Sequence, residues 1–209
     1  ASYINAGKVG IGTATPSSVL SVVGAVTDSV SSVFAVTNTD TTDSATSNAM
    51  RINIGATSTT TNARFVIFYA GSTADNNGTA VGHINLANNA VNYATTGADF
   101  AEEMVLMEDA QPGDIIAISQ NGNKKAVSGE ALVGIVSDSA GFTGNSKEVK
   151  TPDEKRAVVG LLGQIRTKVS LENGPIAIGD SITASSVAGV GMKATTAGMI
   201  VGTALEPFD

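Results

Sequence analysis

The sequence predicts an all-β protein built in two parts, on three observations. Aromatic residues make up 4% of the chain, with no tryptophan, so Val, Ile, Ala and Leu must build the core, and such side chains favour strands. The composition changes near Thr96, from Ser/Thr/Asn-rich to more charged. Beyond that point a Gly-Asp turn leading into an apolar strand occurs twice. These set the expected domains: residues 1–96, a strand-rich shaft or stalk, and residues 97–209, a compact antiparallel β-barrel-like domain with an internal duplication.

Length and charge narrow the function classes. A chain of 209 residues can hold one large domain or two modest ones. The net charge of −7 argues against nucleic acid as a partner, since phosphate contacts need clustered Lys and Arg. The basic pairs Lys124-Lys125 and Lys155-Arg156 read as solvated turns. Cysteine is absent, which excludes a disulfide framework and a thiolate metal site and is compatible with extracellular life. No apolar run approaches the roughly 18 residues of a membrane-spanning helix. With Ala rather than Met first, the chain reads as a fragment or a processed product.

The first element is Lys8–Val22. An apolar run breaks at Gly10-Ile11-Gly12-Thr13, meets Pro16, and resumes with Val19, Leu20 and Val22 around Ser21. Its apolar surface is too small to fold alone, so it reads as a strand that needs neighbouring copies. The pattern VGIGT-x-x-P-x-x-x-L-x-V resembles the head of the shaft repeats in phage tail fibres and related bacterial surface fibres. That resemblance implies a homotrimer and an extracellular place, on a virion tail or a bacterial surface.

Further strands are expected at Val33–Val36, Met50–Ile54, Arg64–Tyr69, His83–Leu86 and Val91–Tyr93. Thr37–Asn48 and Thr57–Asn62 read as polar loops. Roughly two-fifths of residues 1–96 are Ser, Thr or Asn, a composition shared by disordered stalks, but the apolar runs decide for strands. In a monomer such strands would expose polar edges, an aggregation hazard that three-fold association would remove.

In the second part, Pro112–Ser119 is echoed by Ile178–Ser185, and Ala131–Asp138 by Met199–Glu206. The offset is 66 residues from Gly113 to Gly179 and 68 from Gly134 to Gly202. With Val158–Ile165 and Thr167–Ser170 as strands between them, the two units suggest one small barrel.

At the junction, Thr96-Gly97-Ala98-Asp99-Phe100-Ala101-Glu102-Glu103 places three carboxylates within five positions. The simpler reading is an acidic, solvated domain start. The sharper one treats Asp99 and Glu102 as an acid/base pair acting on the scissile region Thr96-Gly97. Gly97–Glu102, followed by Val133–Ser137 and Gly144-Asn145, resembles the C-terminal autoproteolytic chaperone domain of phage tail appendages. Val169–Ile176, Gly179-Asp180, Met192–Ala194 and Gly202–Glu206 look like the same sort of domain in bacterial fibre proteins. The resemblance spans about residues 95–209 and implies a domain that helps three chains assemble and then cuts the backbone just upstream of Gly-Ala-Asp-aromatic-Ala-Glu. Two departures bear on cleavage: Glu103-Met104 stands where the family tends to have aromatics, and Phe100 lacks the hydroxyl of the more common Tyr.

Other candidates resolve to structural roles. His83 is the single histidine and has no carboxylate nearby in sequence, so neither a Ser-His-Asp relay nor a histidine metal cluster is expected. Gly189–Lys193 lacks the spacing of a phosphate loop and reads as a hairpin turn. Ser185 or Ser186 with Lys193 could be drawn as a Ser-Lys dyad, but the spacing carries no information. Asp75–Thr79 offers oxygen ligands without the acidic period of a Ca²⁺ loop, and a tight turn is the better reading. No cofactor and no metal are expected.

The sequence therefore points to a homotrimeric structural fibre protein whose C-terminal domain guides assembly. The alternatives are a self-cleaving intramolecular chaperone, and an adhesin presenting loops such as Thr37–Asn48 to a cell-surface receptor or glycan. The scarcity of aromatic rings weighs against the last.

Overall fold

The computed structural model describes residues 2–5, 7–16, 18–23, 34, 50, 52, 63–71, 78–87, 90–146, 151 and 153–209. Among them every regular element is a strand, so the protein is all-β. The chain divides into two compact units, Ala1–Ala94 and Thr95–Asp209.

The first unit holds two three-stranded sheets. Strands β1 (Ser2–Asn5), β2 (Lys8–Ile11) and β3 (Leu20–Val22) lie in that order. β1 and β2 form a hairpin, while β3 runs parallel to β2 with Val9 opposite Leu20 and Ile11 opposite Val22. The motif at Lys8–Val22 is thus two strands joined through Pro16, not one interrupted strand. Val9, Ile11 and Leu20 are exposed on one face, and the buried Ser21 Oγ accepts the Ser18 N–H at 3.3 Å. Strands β4 (Arg64–Ala70), β5 (Thr79–Ala87) and β6 (Ala90–Thr95) make the second sheet. They contain the strands expected at Arg64–Tyr69, His83–Leu86 and Val91–Tyr93. Those expected at Val33–Val36 and Met50–Ile54 lie outside the described residues, apart from Phe34, Met50 and Ile52, as do the loops at 37–48 and 57–62 and Asp75 to Asn77.

The second unit is built on a closed five-stranded barrel. Its strands are β7 (Asp99–Leu106), β8 (Ile115–Ser119), β9 (Gly122–Lys125), β10 (Ala131–Val136) and, after β11 (Ala140–Gly144), β12 (Lys155–Gly163). The order β7-β12-β10-β8-β9 returns to β7 through the pairing of Leu106 with Asn123. The Asn123 amide donates to the Val105 carbonyl at 3.1 Å and reinforces that seam. β11 adds in parallel to the first half of β7, outside the closed ring. Leu106, Ile116, Val136 and Val159, from four different barrel strands, fill the lumen with Met104, Ala110 and Ala157 around them.

A second apolar cluster lies on the outer side of β8 and β10. Ile115, Ala117 and Ile135 pack there with Ala126 and Ala184, and with Leu132, Ile165 and Val201. The cover comes from a separate sheet of β13 (Ser181–Ala184), β14 (Gly191–Lys193) and β15 (Gly202–Thr203), in the order β14-β13-β15. It is tied down by main-chain bonds from Ile115 N to Gly189 O (2.8 Å), Gly189 N to Ala126 O (2.9 Å) and Ser128 N to Ser185 O (2.9 Å).

Three expectations need correction. The second copy of the repeated unit does not complete the barrel: its strands pair with one another in a separate sheet and serve as a lid over the outer cluster. Thr167–Ser170 forms only an isolated bridge at Val169, because Lys168 N bonds to Gly113 O while Lys168 O accepts from Gly191 N. The basic pairs are not solvated turns. Lys124 and Lys125 lie on β9 and pair with Glu130 and Glu108. The Arg156 side chain is 4% exposed on β12, hydrogen-bonded to Glu154 at 2.9 and 3.1 Å and 3.7 Å from Glu103. The Glu154 bond raises the Arg156 pKa above its ordinary value.

Candidate functional site

Strand alternation decides how the junction carboxylates are arranged. Met104 and Leu106 face the lumen, so Glu102 and Phe100 share their side of β7, while Asp99, Ala101 and Glu103 point the other way. Asp99 and Glu102 are three residues apart, hence on opposite faces and about 10 Å apart along the strand. Within one chain the structure does not bring the two together.

Asp99 is the more unusual of the pair. It is 1% exposed, at the start of β7, opposite Gly163 of β12. Its Oδ1 accepts the Ser137 hydroxyl at 3.1 Å, and Ser137 Oγ in turn accepts the Ser139 N–H at 3.1 Å. Its Oδ2 is buried with no hydrogen-bond partner among the described residues. That oxygen faces the side of Gly160 over which Ile165 packs. A buried acceptor left unmet costs about 1–3 kcal/mol, so the position carries a local penalty.

The segment entering β7 is gripped closely. Thr95 Oγ1 donates to Gly97 O at 3.3 Å. A Cβ at Gly97 would collide with the main chain of Ser139, Ala140 and Gly141, so only glycine lets the two segments approach this closely. Thr96 is exposed and Gly97 half-buried. The scissile candidate thus sits beside the loop that also carries Ser137 and Ser139.

Glu102 is exposed, beside Gly144 of β11 and Val159 of β12. Glu103 is buried on the Asp99 side, near Arg156, and its carbonyl accepts the Asn145 amide at 3.2 Å. The remaining candidates separate. His83 is half-buried on β5 opposite Ile67. Ser186 Oγ donates to Glu172 at 2.8 Å, Ser185 Oγ to Val187 O at 3.3 Å, and Lys193 pairs with Asp180 at 2.8 Å, so no Ser-Lys dyad forms. Among the described residues no group of three His, Cys, Asp or Glu could hold a metal.

Sequence reasoning named Ser137 only within a motif and gave it no role; among the described residues it is the side chain that bonds to Asp99. It also paired two carboxylates at an odd spacing, which a strand places on opposite faces. The signal was there, in the period of two from Asp99 to Glu103.

No family model matches the chain, and no curated protein matches it. Among solved structures it is similar to pre-mature bacteriophage phi29 gene product 12, at 20% identity and a TM-score of 0.38 over 55% of this chain and 21% of that one. It is also similar to the C-terminal fragment of bacteriophage phi29 gene product 12, at 22% identity and a TM-score of 0.38 over 46% of this chain and 84% of that one. The chain spans about a fifth of the first of these proteins.

Proposed function

We propose that this chain is a structural fibre protein that homotrimerises through its β-strands, with residues 1–96 as shaft and residues 97–209 as the domain guiding assembly, on a virion tail or an extracellular bacterial filament. The observation that carries this reading is β4. Ile67, Phe68 and Tyr69 are consecutive, so they alternate between the two faces of the sheet, yet they are 36%, 50% and 46% exposed. A three-stranded sheet with apolar residues open on both faces calls for cover on both.

Magnitudes favour an extended contact. Covering the exposed part of these three side chains contributes about 1 kcal/mol each. Association costs about 4–15 kcal/mol, so this sheet alone is insufficient. The exposed face of β2 and β3, with Val9, Ile11 and Leu20, adds to it, as expected of copies lying side by side along a shaft. The choice of three copies rests on the resemblance of Lys8–Val22 to fibre shaft repeats. Sedimentation equilibrium tests it: the expected mass is three times the 20.9 kDa chain, and a stable monomer at micromolar concentration would remove the reading.

A second reading is favoured by Asp99. Its buried carboxylate, with one oxygen unpartnered among the described residues, lies three residues from Thr96 and supports self-cleavage near Thr96-Gly97 once the copies have assembled.

A further inference from the structure

Phe100, Phe142 and Leu162 meet on one sheet face. The register sets Phe142 of β11 and Leu162 of β12 on either side of Phe100 of β7. The two rings stand 5.8 Å apart at 35°. All three side chains are open, at 61%, 59% and 72% exposure. They share the strand face of Met104 and Leu106, separated from them on β7 by the exposed Glu102, and lie past the point where β9 closes the ring.

We propose that this patch is the contact through which the barrel unit meets a second copy of this chain. The proposal rests on the homo-oligomeric reading and names its contact in residues 97–209. The three side chains expose on the order of 350 Å² of apolar surface. A standard interface takes about 800 Å² from each partner, some 60% of it apolar, so the patch supplies roughly three-quarters of that apolar share. β11 is an edge strand in the described sheet, so its outer backbone groups extend the patch with hydrogen-bonding capacity that another copy can meet. Other occupants fit less well. Among the described residues, a shallow groove of about 220 Å³ lies elsewhere, at Pro112, Gly113, Arg166 and Lys168. Glu102 on the same face and the net charge of −7 oppose an anionic membrane or nucleic acid.

The test uses the full chain and the variant Phe142→Ser/Leu162→Ser, with sedimentation velocity across a dilution series and circular dichroism to confirm that strands are retained. Because the chain has no cysteine, Leu162→Cys also takes a single environment-sensitive dye. The expected results are a wild-type oligomer, a dissociation constant raised at least a hundredfold in the double variant, and dye emission that shifts to the red as the labelled chain is diluted. A wild-type oligomer unaffected by the double substitution overturns this contact and leaves the fibre reading standing. A wild-type monomer removes both. A dye shielded at every concentration overturns the contact too, since another part of the same chain would then cover the patch.

Discussion

Asp114 and Asp180 hold equivalent turns 66 residues apart. Each accepts, through Oδ2, the N–H of the residue three before it: Gln111 at 2.8 Å and Ala177 at 2.7 Å. Each follows a glycine of positive φ, Gly113 at 87° and Gly179 at 90°. Gly113 N and Gly179 N donate to Val136 O and Ala204 O, which in turn return N–H bonds to Asp114 O and Asp180 O, all four at 2.9 Å. Each also pairs with a lysine, Lys168 at 2.6 Å and Lys193 at 2.8 Å. The same turn thus launches β8 in the barrel wall and β13 in the lid.

Burial separates the two turns energetically. Asp114 is buried, so Asp114→Ala strands the Gln111 N–H and should cost about 1–3 kcal/mol in urea denaturation. Asp180 is more open, and Asp180→Ala should cost visibly less. Equal losses would mean that burial does not set the contribution of this turn.

Strong acid should loosen the pairs of Asp180 and Glu130. The hydrogen bond from Lys193, then that from the Ala177 N–H, hold the Asp180 pKa below its ordinary value. The Lys124 bond, then the Val127 N–H, do the same for Glu130. A carboxylate with a depressed folded pKa contributes stability above its unfolded value, and that contribution disappears as pH falls through the folded pKa. The window therefore lies below about pH 4. Carboxyl NMR titration should show the low Asp180 midpoint, and Lys193→Met should move it upward. An unchanged midpoint would remove the lysine as its cause.

The lumen should respond most strongly to truncation. Ile116 is fully buried among Leu106, Val136 and Val159, and Ile116→Ala should cost about 2–5 kcal/mol by denaturant unfolding. Ile118, on the same strand but exposed, should tolerate alanine within about 0.5 kcal/mol. Comparable losses at both positions would contradict a barrel closed around Ile116.

Much of this architecture was legible in the sequence because its signals are local. Arg64–Tyr69, His83–Leu86 and the Gly-Asp turns carry strand and turn chemistry in their own residues. Which strands share a sheet was not legible, since that depends on closure. Ser181–Ala184 resembles Ile115–Ser119 in pattern and also has partners on both sides, yet those partners are Gly191–Lys193 and Gly202–Thr203 of a separate sheet, not barrel strands. Arg156 was misread for a related reason. A basic pair looks solvated until Glu103 on β7 and Glu154 are found beside it. At the junction the residue types were legible, but the Asp99–Ser137 bond spans 38 positions that no local pattern connects.

That bond yields the sharpest functional prediction. If Asp99 serves in self-cleavage, the freshly made wild-type chain should divide over days into fragments ending and starting near Thr96-Gly97, seen on denaturing gels and located by mass spectrometry. Asp99→Asn preserves the size of the side chain and its bond with Ser137 Oγ, but cannot take up a proton as a carboxylate does, so it should abolish the fragments while leaving the strand content unchanged. Ser137→Ala removes only the hydroxyl that holds Oδ1, and should slow cleavage and shift its pH profile rather than abolish it. Glu102→Gln discriminates further. Glu102 lies on the opposite face of β7 from Asp99, so within one chain its substitution should leave the rate unchanged. A slowed Glu102→Gln chain would mean that a neighbouring copy presents Glu102 to the junction. A wild-type chain that stays intact after assembly would end the cleavage reading and leave Asp99 as a buried carboxylate with a structural role.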